Sequence, residues 1–237
     1  MKTYFISDLH LTPEQPHVIT AFTKFMSESA PSADRIYILG DLFEFWIGDD
    51  ASSLLGAQPI LDLMKSVSEH TPCYFIPGNR DFLVRDQFSQ DSGFEVLKDE
   101  TVIDLYGTPT LLLHGDSMCT DDVKHQEFRD TMMTNKEFCD HFLSLPIQAR
   151  IEQAKQARSE SHEHKSEVSM EIMDVTLSSV DELFKRYNVT QMIHGHTHRQ
   201  KVHQHNNNTR YVLGDWGTTN SVLTATNEGL IIENHPI

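Results

Sequence analysis

The stretch Arg35-Ile-Tyr-Ile-Leu-Gly-Asp41 (RIYILGD) decides how the rest of the chain is read. Its β-prone, mostly apolar run reads as a strand. The Gly-Asp that follows breaks the run and leaves a carboxylate at its carboxyl end. The same arrangement recurs along the chain. The run 2–6 leads into Ser7-Asp8-Leu9-His10, and 73–76 leads into Pro77-Gly78-Asn79-Arg80-Asp81. The run 111–113 leads into His114-Gly115-Asp116, and 192–193 leads into His194-Gly195-His196-Thr197-His198. Every one of these apolar runs ends in Asp, Asn or His.

Between the runs lie segments with helical spacing. Residues 16–29 place Val18, Ala21, Phe22, Phe25 and Met26 on one face, and 56–69 do so with Leu61, Met64 and Val67. Strands alternating with helices predict an α/β fold, in which ligands gather outside the carboxyl ends of the strands. Residues 121–170 break the alternation. The part 121–144 is helical with scattered Phe and Met, and 147–165 is polar and helix-prone. This segment is read as an inserted helical lid, with 1–120 and 171–237 forming the core. Beyond the histidines, 210–213 and 230–232 read as antiparallel strands, and Asn206-Asn207-Asn208 as a hairpin tip.

The 237 residues carry a net charge of −16, with 38% hydrophobic and 23% charged residues. A packed core is feasible, and no nucleic-acid partner is expected of so acidic a chain. Acidity fits a protein that gathers divalent cations. Cys73, Cys119 and Cys139 form no CxxC pair and are read as reduced thiols in a reducing compartment. The start of the chain reads as a strand, not a signal peptide, and no run approaches the roughly 18 apolar residues of a membrane span. The expectation is a cytoplasmic protein.

The residues at the run ends carry the chemistry. They comprise two carboxylates (Asp8, Asp41), one amide (Asn79) and four imidazoles (His10, His114, His196, His198). Each alone has an ordinary role: a helix cap, a turn, a satisfied core histidine. Together, without thiolate, they suit Mn, Fe, Zn or Co. They are too many for one tetrahedral ion and about right for two ions sharing a carboxylate, the clamp that phosphoryl hydrolysis uses.

The ordered set DLH, GDLFE, GNRD, HGD and GHTH resembles the calcineurin-like metallophosphoesterases over most of the chain, from Asp8 to His198. The resemblance implies a two-sheet sandwich flanked by helices (αββα) and two manganese ions per chain. It implies one ion on Asp8, His10, Asp41 and His198, and a second on Asp41, Asn79, His114 and His196. Asp41 would bridge, and His194 has no ligand role in that pattern. Many relatives have His after the Asn; here it is Arg80. Arginine does not give up a proton near neutrality, but its fork suits phosphate. Arg80 is therefore expected to act in catalysis through charge, beside Asp41 and His114, on a leaving group that needs no proton. A pyrophosphate bond supplies such a group.

The longer stretches LFEFWIGDD, GNRDF and HGDSMCTDD look like the branch of that family that hydrolyses UDP-2,3-diacylglucosamine. That likeness implies a nucleotide-linked glycolipid substrate and peripheral contact with the cytoplasmic face of the inner membrane. It implies substrate contacts at Asn79, Arg80, Asp122, Ser161 and His196, with Phe128, Met132, Phe138, Phe142 and Leu143 lining the lid. No obligate protein partner is expected. The lid departs from the branch pattern. Lys165 and Val168 stand where an Asn and a Lys are expected, and His125 where a Tyr is expected. Lys165 would supply the displaced charge from one helical turn earlier.

Overall fold

The computed structural model describes residues 1–167, 172 and 174–237, with side chains for all of these except 160–167. The first three apolar runs become β1 (Thr3–Ile6), β2 (Arg35–Leu39) and β3 (Cys73–Ile76), paired in parallel. The short β4 (Glu95–Val96) extends this sheet on one side. A second sheet holds β5 (Thr101–Leu105), β6 (Thr108–Leu112), β7 (Gln191–His194), β8 (Lys201–His205) and β9 (Asn208–Val212), in the order β5-β6-β7-β9-β8. The last two strands, β10 (Thr219–Thr226) and β11 (Gly229–Pro236), return to the first sheet beside β1.

Strand alternation builds the layers. Tyr4, Ile6, Ile36, Ile38 and Phe75 face outward into one core. Phe5, Tyr37, Leu39 and Ile76 face the other way and meet Leu105, Leu112 and Ile193 between the sheets. Leu111, Leu113 and Met192 face out from the second sheet into a third core. Phe5 is fully buried, and burying a side chain of that size contributes about 2–3 kcal/mol.

Helices cover both outer faces, so the expected αββα sandwich is the observed one. α1 (Pro16–Lys24), α2 (Gln58–Ser68) and α3 (Asp86–Ser92) bury Val18, Phe22, Ile60, Leu61, Met64 and Phe88 in the first core. Within the expected insertion, residues 121–167 carry α4 (Val123–Phe128), α5 (Lys136–Ser144) and α6 (Ile147–Glu167). α7 (Leu177–Tyr187) covers the second sheet through Val180, Leu183 and Phe184. The helix expected over 16–29 is regular only to Lys24, then widens into a turn of larger radius over Phe25–Ser29. The 210–213 strand, expected to be antiparallel, is antiparallel to β8 but parallel to β7. Asn206, at φ 55°, does sit at the tip of the β8–β9 hairpin. The three cysteines are buried, and none takes part in a disulfide. No helix among the described residues is long and apolar enough to cross a membrane.

Candidate metal centre

Parallel registry puts the donors together. Ile6 pairs with Ile38, and Leu39 with Ile76, so β1, β2 and β3 end level. Leu112 pairs with Ile193, so β6 and β7 end level in the second sheet. Asp8, Asp41, His114 and His196 each follow two residues after a strand end. The two sheets are joined at this edge. The Asp8 amide donates to the Gly40 carbonyl (3.1 Å), the Gly195 amide to the His114 carbonyl (2.9 Å), and the His196 amide to Asp8 Oδ2 (2.9 Å).

The backbone here is unusual. Asp8, His10, Asp41, His196 and His198 all have positive φ, between 49° and 67°. Left-handed conformations at non-glycine residues cluster where the surroundings over-determine them, as at functional sites. Space is equally tight. A Cβ on Gly195 would lie 2.2 Å from Asp8 Oδ2, and one on Gly78 would lie 2.3 Å from Asp41 Oδ1.

The donor atoms fall into two groups. Asn79 Oδ1 lies 3.1 Å from His114 Nε2 and 3.0 Å from His196 Nδ1, and these two nitrogens are 3.3 Å apart. His198 Nε2 lies 3.3 Å from both Asp8 Oδ1 and His10 Nε2. Asp41 serves both groups: Oδ1 is 3.5 Å from His114 Nε2, and Oδ2 is 4.0 Å from His10 Nε2. Ligands bound to one ion at about 2.1 Å lie about 3–3.5 Å from one another. Asp8 Oδ1 is buried with no hydrogen-bond partner, the state of an oxygen kept for a cation. The seven donors fit a pair of divalent ions.

Charge sharing within the cluster agrees. Burial works to raise the Asp8 carboxyl, but His198, His114 and His10 outweigh it and hold it far below the usual range. Burial opposes protonation of His114, yet Asp41, Asp8 and Asp116 lift it to about 9. Burial, then His114, push His196 well down. Asp8 and Asp41 thus set negative charge around His114, the field that an added cation would meet. His114 Nδ1 is held by the Leu39 carbonyl at 2.9 Å, which turns Nε2 to the cluster.

The other residues singled out by sequence are placed as follows. His194 is fully buried and points away from the cluster; Nδ1 meets the Gly195 carbonyl (2.9 Å), and Nε2 accepts from Arg210 (3.0 Å). Burial and the Arg210 charge push it down to about 3, so it stays neutral. Arg80 lines a cavity of about 270 Å³ with Asp8, His10, Glu44, His198 and Asp215. Its backbone amide donates to Asp41 Oδ1 at 2.9 Å. Asp122 caps α4, its carboxylate accepting from the His125 amide at 3.0 Å. Ser161 and Lys165 lie on α6, with side chains outside those described, and Val168 lies outside the described residues. Phe142 is buried in the first core, Phe138 and Leu143 pack against that core, and Phe128 meets Phe82 edge-on at 5.9 Å. Met132 is half-buried.

Several supporting groups are not visible from sequence. Buried Asp81 accepts from the amides of Gly78 and Leu42, both at 2.7 Å, and so fixes the loops that carry Asn79 and Asp41. Burial and Asp41 lift its carboxyl to about 7. Asp99 accepts from the His114 amide (3.2 Å), and Arg129 ties Asp99 to Asp116 at 3.0 and 3.2 Å. His125 lies 3.8 Å from Asp116, with its ring 5.2 Å from that of His196. Glu44 faces His10 Nδ1 at 3.5 Å. Asp81, Asp116 and Glu44, inside GNRD, HGD and GDLFE, had a sequence signal to find them by.

Residues 1–200 match the calcineurin-like phosphoesterase family model. A protein of Histophilus somni (strain 2336) named UDP-2,3-diacylglucosamine hydrolase is 44% identical over 96% of this chain and 97% of its own. One of the same name from Actinobacillus succinogenes is 46% identical over 95% and 96%. Among solved structures, a phosphoesterase of E. coli, Yfce, covers 97% of this chain and 91% of its own, at 15% identity and a TM-score of 0.48.

Proposed function

The chain belongs to the calcineurin-like phosphoesterases, and from that premise we propose that it hydrolyses the pyrophosphate bond of UDP-2,3-diacylglucosamine. Water attacks the α-phosphate, and the products are UMP and 2,3-diacylglucosamine 1-phosphate. The relatives that bear the hydrolase name support the substrate, since they match at 44–46% over nearly the full chain. The observation that carries the reading is the pair of donor groups sharing Asp41, with an arginine directly after Asn79.

Asp8, His10, Asp41 and His198 would hold one ion, and Asp41, Asn79, His114 and His196 the other. Two manganese ions there supply Lewis acidity toward the phosphoryl oxygens and a water acidified to near neutrality. Asp41 keeps the two halves of the site in register, fixed by its bond from the Arg80 amide. His114 keeps Nε2 on the site through the Leu39 carbonyl. Arg80 offers its fork to a phosphoryl oxygen and compensates the charge that develops there. It donates no proton, which suits a phosphate leaving from an anhydride.

Substrate contacts at Asn79, Arg80, Asp122, Ser161 and His196 follow from the family likeness; Lys165 and Val168 occupy lid contact positions where this chain departs from it. The segment 121–170 acts as the cover over the acyl chains and meets the inner-membrane surface from the cytoplasmic side.

The test is hydrolysis of UDP-2,3-diacylglucosamine by metal-stripped protein with Mn(II) restored, in ¹⁸O-enriched water. UMP carrying the label is the expected product. Label on the sugar phosphate overturns attack at the α-phosphate. Turnover of a soluble nucleotide diester with none of the acylated UDP-sugar makes the chain a different dinuclear phosphoesterase.

A further inference from the structure

Glu44 stands where the metal centre meets α6, and the chemistry above leaves it without a role. It is 8% exposed. Oε2 faces His10 Nδ1 at 3.5 Å, while Oε1 pairs with the guanidinium of Arg158 on α6. Both partners are placed by neighbouring structure. Glu44 rides on a short backbone ladder with the loop that carries His10: its amide donates to the Leu11 carbonyl (3.1 Å), and the Leu11 amide to Leu42 (2.9 Å). Arg158, whose side chain is 46% exposed, lies in line with the docking face of α6. Ile147, Ile151 and Ala154 pack against the first core, and Arg158 follows at the next helical step. On the same helix, buried Arg150 donates to the Ile47 carbonyl (2.7 Å) and to Asp50 (2.8 Å).

His10 turns Nε2 to Asp41 and His198, so Nδ1 has Glu44 as its acidic neighbour. A carboxylate on the far nitrogen of a ligating histidine fixes its tautomer and ring angle and strengthens it as a donor. Nδ1 is buried and has no hydrogen-bond partner among the described residues, so Glu44 Oε2, 3.5 Å away, is the carboxylate placed to take its proton. Arg158 holds the other oxygen and so keeps Oε2 facing Nδ1. Glu14 also feels Arg158, but it is exposed, where water screens the pair.

We propose that Glu44 is a positioning residue that couples His10 to Arg158, so that metal binding and the docking of α6 strengthen each other. The proposal rests on the dinuclear reading above. A cation on Nε2 makes the Nδ1 proton a stronger donor, which pins Glu44 and, through it, Arg158. The coupling is reciprocal by necessity: whatever α6 adds to metal affinity, metal adds to α6.

The experiment titrates the metal-stripped full chain with Mn(II), reading free Mn(II) by electron paramagnetic resonance. It also follows hydrogen exchange of residues 147–159 with and without the ion. Glu44→Gln is expected to weaken Mn(II) binding about tenfold. Arg158→Gln is expected to weaken it about fivefold, with Arg158→Lys recovering most of the loss. In the wild type Mn(II) slows exchange in α6, and both Gln variants lose that slowing. Wild-type Mn(II) affinity in Arg158→Gln overturns the coupling, even if exchange in α6 rises, because Arg158 is then a helix anchor and nothing more. A wild-type chain that binds no Mn(II) overturns the dinuclear reading, and the coupling with it.

Discussion

The strand-end rim and the helical segment 121–170 are held by different physics. At the rim, donors sit on loops of a few residues between level parallel strands. Each position is fixed several times over, by ladder bonds, by Asp81 and by glycines with no room for a Cβ. The helices of 121–167 are docked through Phe138, Cys139, Phe142, Leu143, Ile147, Ile151 and Ala154 and through ion pairs of Arg129, Arg150 and Arg158. The rim is therefore rigid and suited to chemistry. In the function proposed above, it is these helices that would yield to admit a bulky substrate.

The largest expected effect lies in the rim. His114→Ala removes one donor while the sheets keep their cores. Turnover should fall at least about a thousandfold with an unchanged near-ultraviolet circular dichroism spectrum. A variant within tenfold of wild type would dissolve the contrast, because the rim would then not be where the chemistry sits. Asp50→Ala is smaller and falls on the other side of the comparison. It leaves the buried Arg150 guanidinium on one carbonyl, and urea unfolding should show a loss of about 2–4 kcal/mol. Turnover should change far less than in the rim variant; a comparable collapse would make the two regions one unit.

The smallest effect sharpens the rim itself. His194 is held at about 3 in the folded chain by burial and Arg210, below its ordinary 6.5. The unfolded chain takes up that proton as pH falls below 6.5 and the folded chain does not, so stability is lost on acidification toward 3. His194→Gln keeps a hydrogen-bonding side chain without the titration. Between pH 7.5 and 5 it should lose about 1–2 kcal/mol less than wild type in urea titrations. Equal losses would mean that His194 does not carry the acid sensitivity.

The same contrast explains what the amino-acid sequence reveals. The rim is legible because its donors follow directly after buried apolar runs, so local order along the chain becomes order in space. RIYIL reads as a strand, and in the fold its Tyr37 and Ile38 face opposite cores. The supports are less legible. Asp99 reaches the His114 amide from the loop between β4 and β5, and no spacing announces it. β4 has two residues, too few for a pattern. β5 alternates in burial and ends in a Tyr106-Gly107 turn, a hairpin signal that the more apolar runs overshadow. In α6 the docking face includes Arg150, which is 2% exposed, and Arg158. Charged residues at docking positions hide the apolar period, and the helix reads as polar all round. Arg210 does the same in β9: it is buried, with two histidines, His194 and His205, accepting hydrogen bonds from its guanidinium.

The positive φ angles at Asp8, His10, Asp41, His196 and His198 bear on how an inert copy of this protein is best made. Asp, Asn and His tolerate the left-handed region better than most side chains, so the residue types that serve as donors are also those the turns accept. Replacing a donor with Ala removes the ligand and also adds backbone strain, and a β-branched residue adds more. Asn at positions 8 and 41 would silence the carboxylates while leaving the turns content. A trapping variant for capturing substrate, or a scaffold for a different metal, is best drawn from that short alphabet.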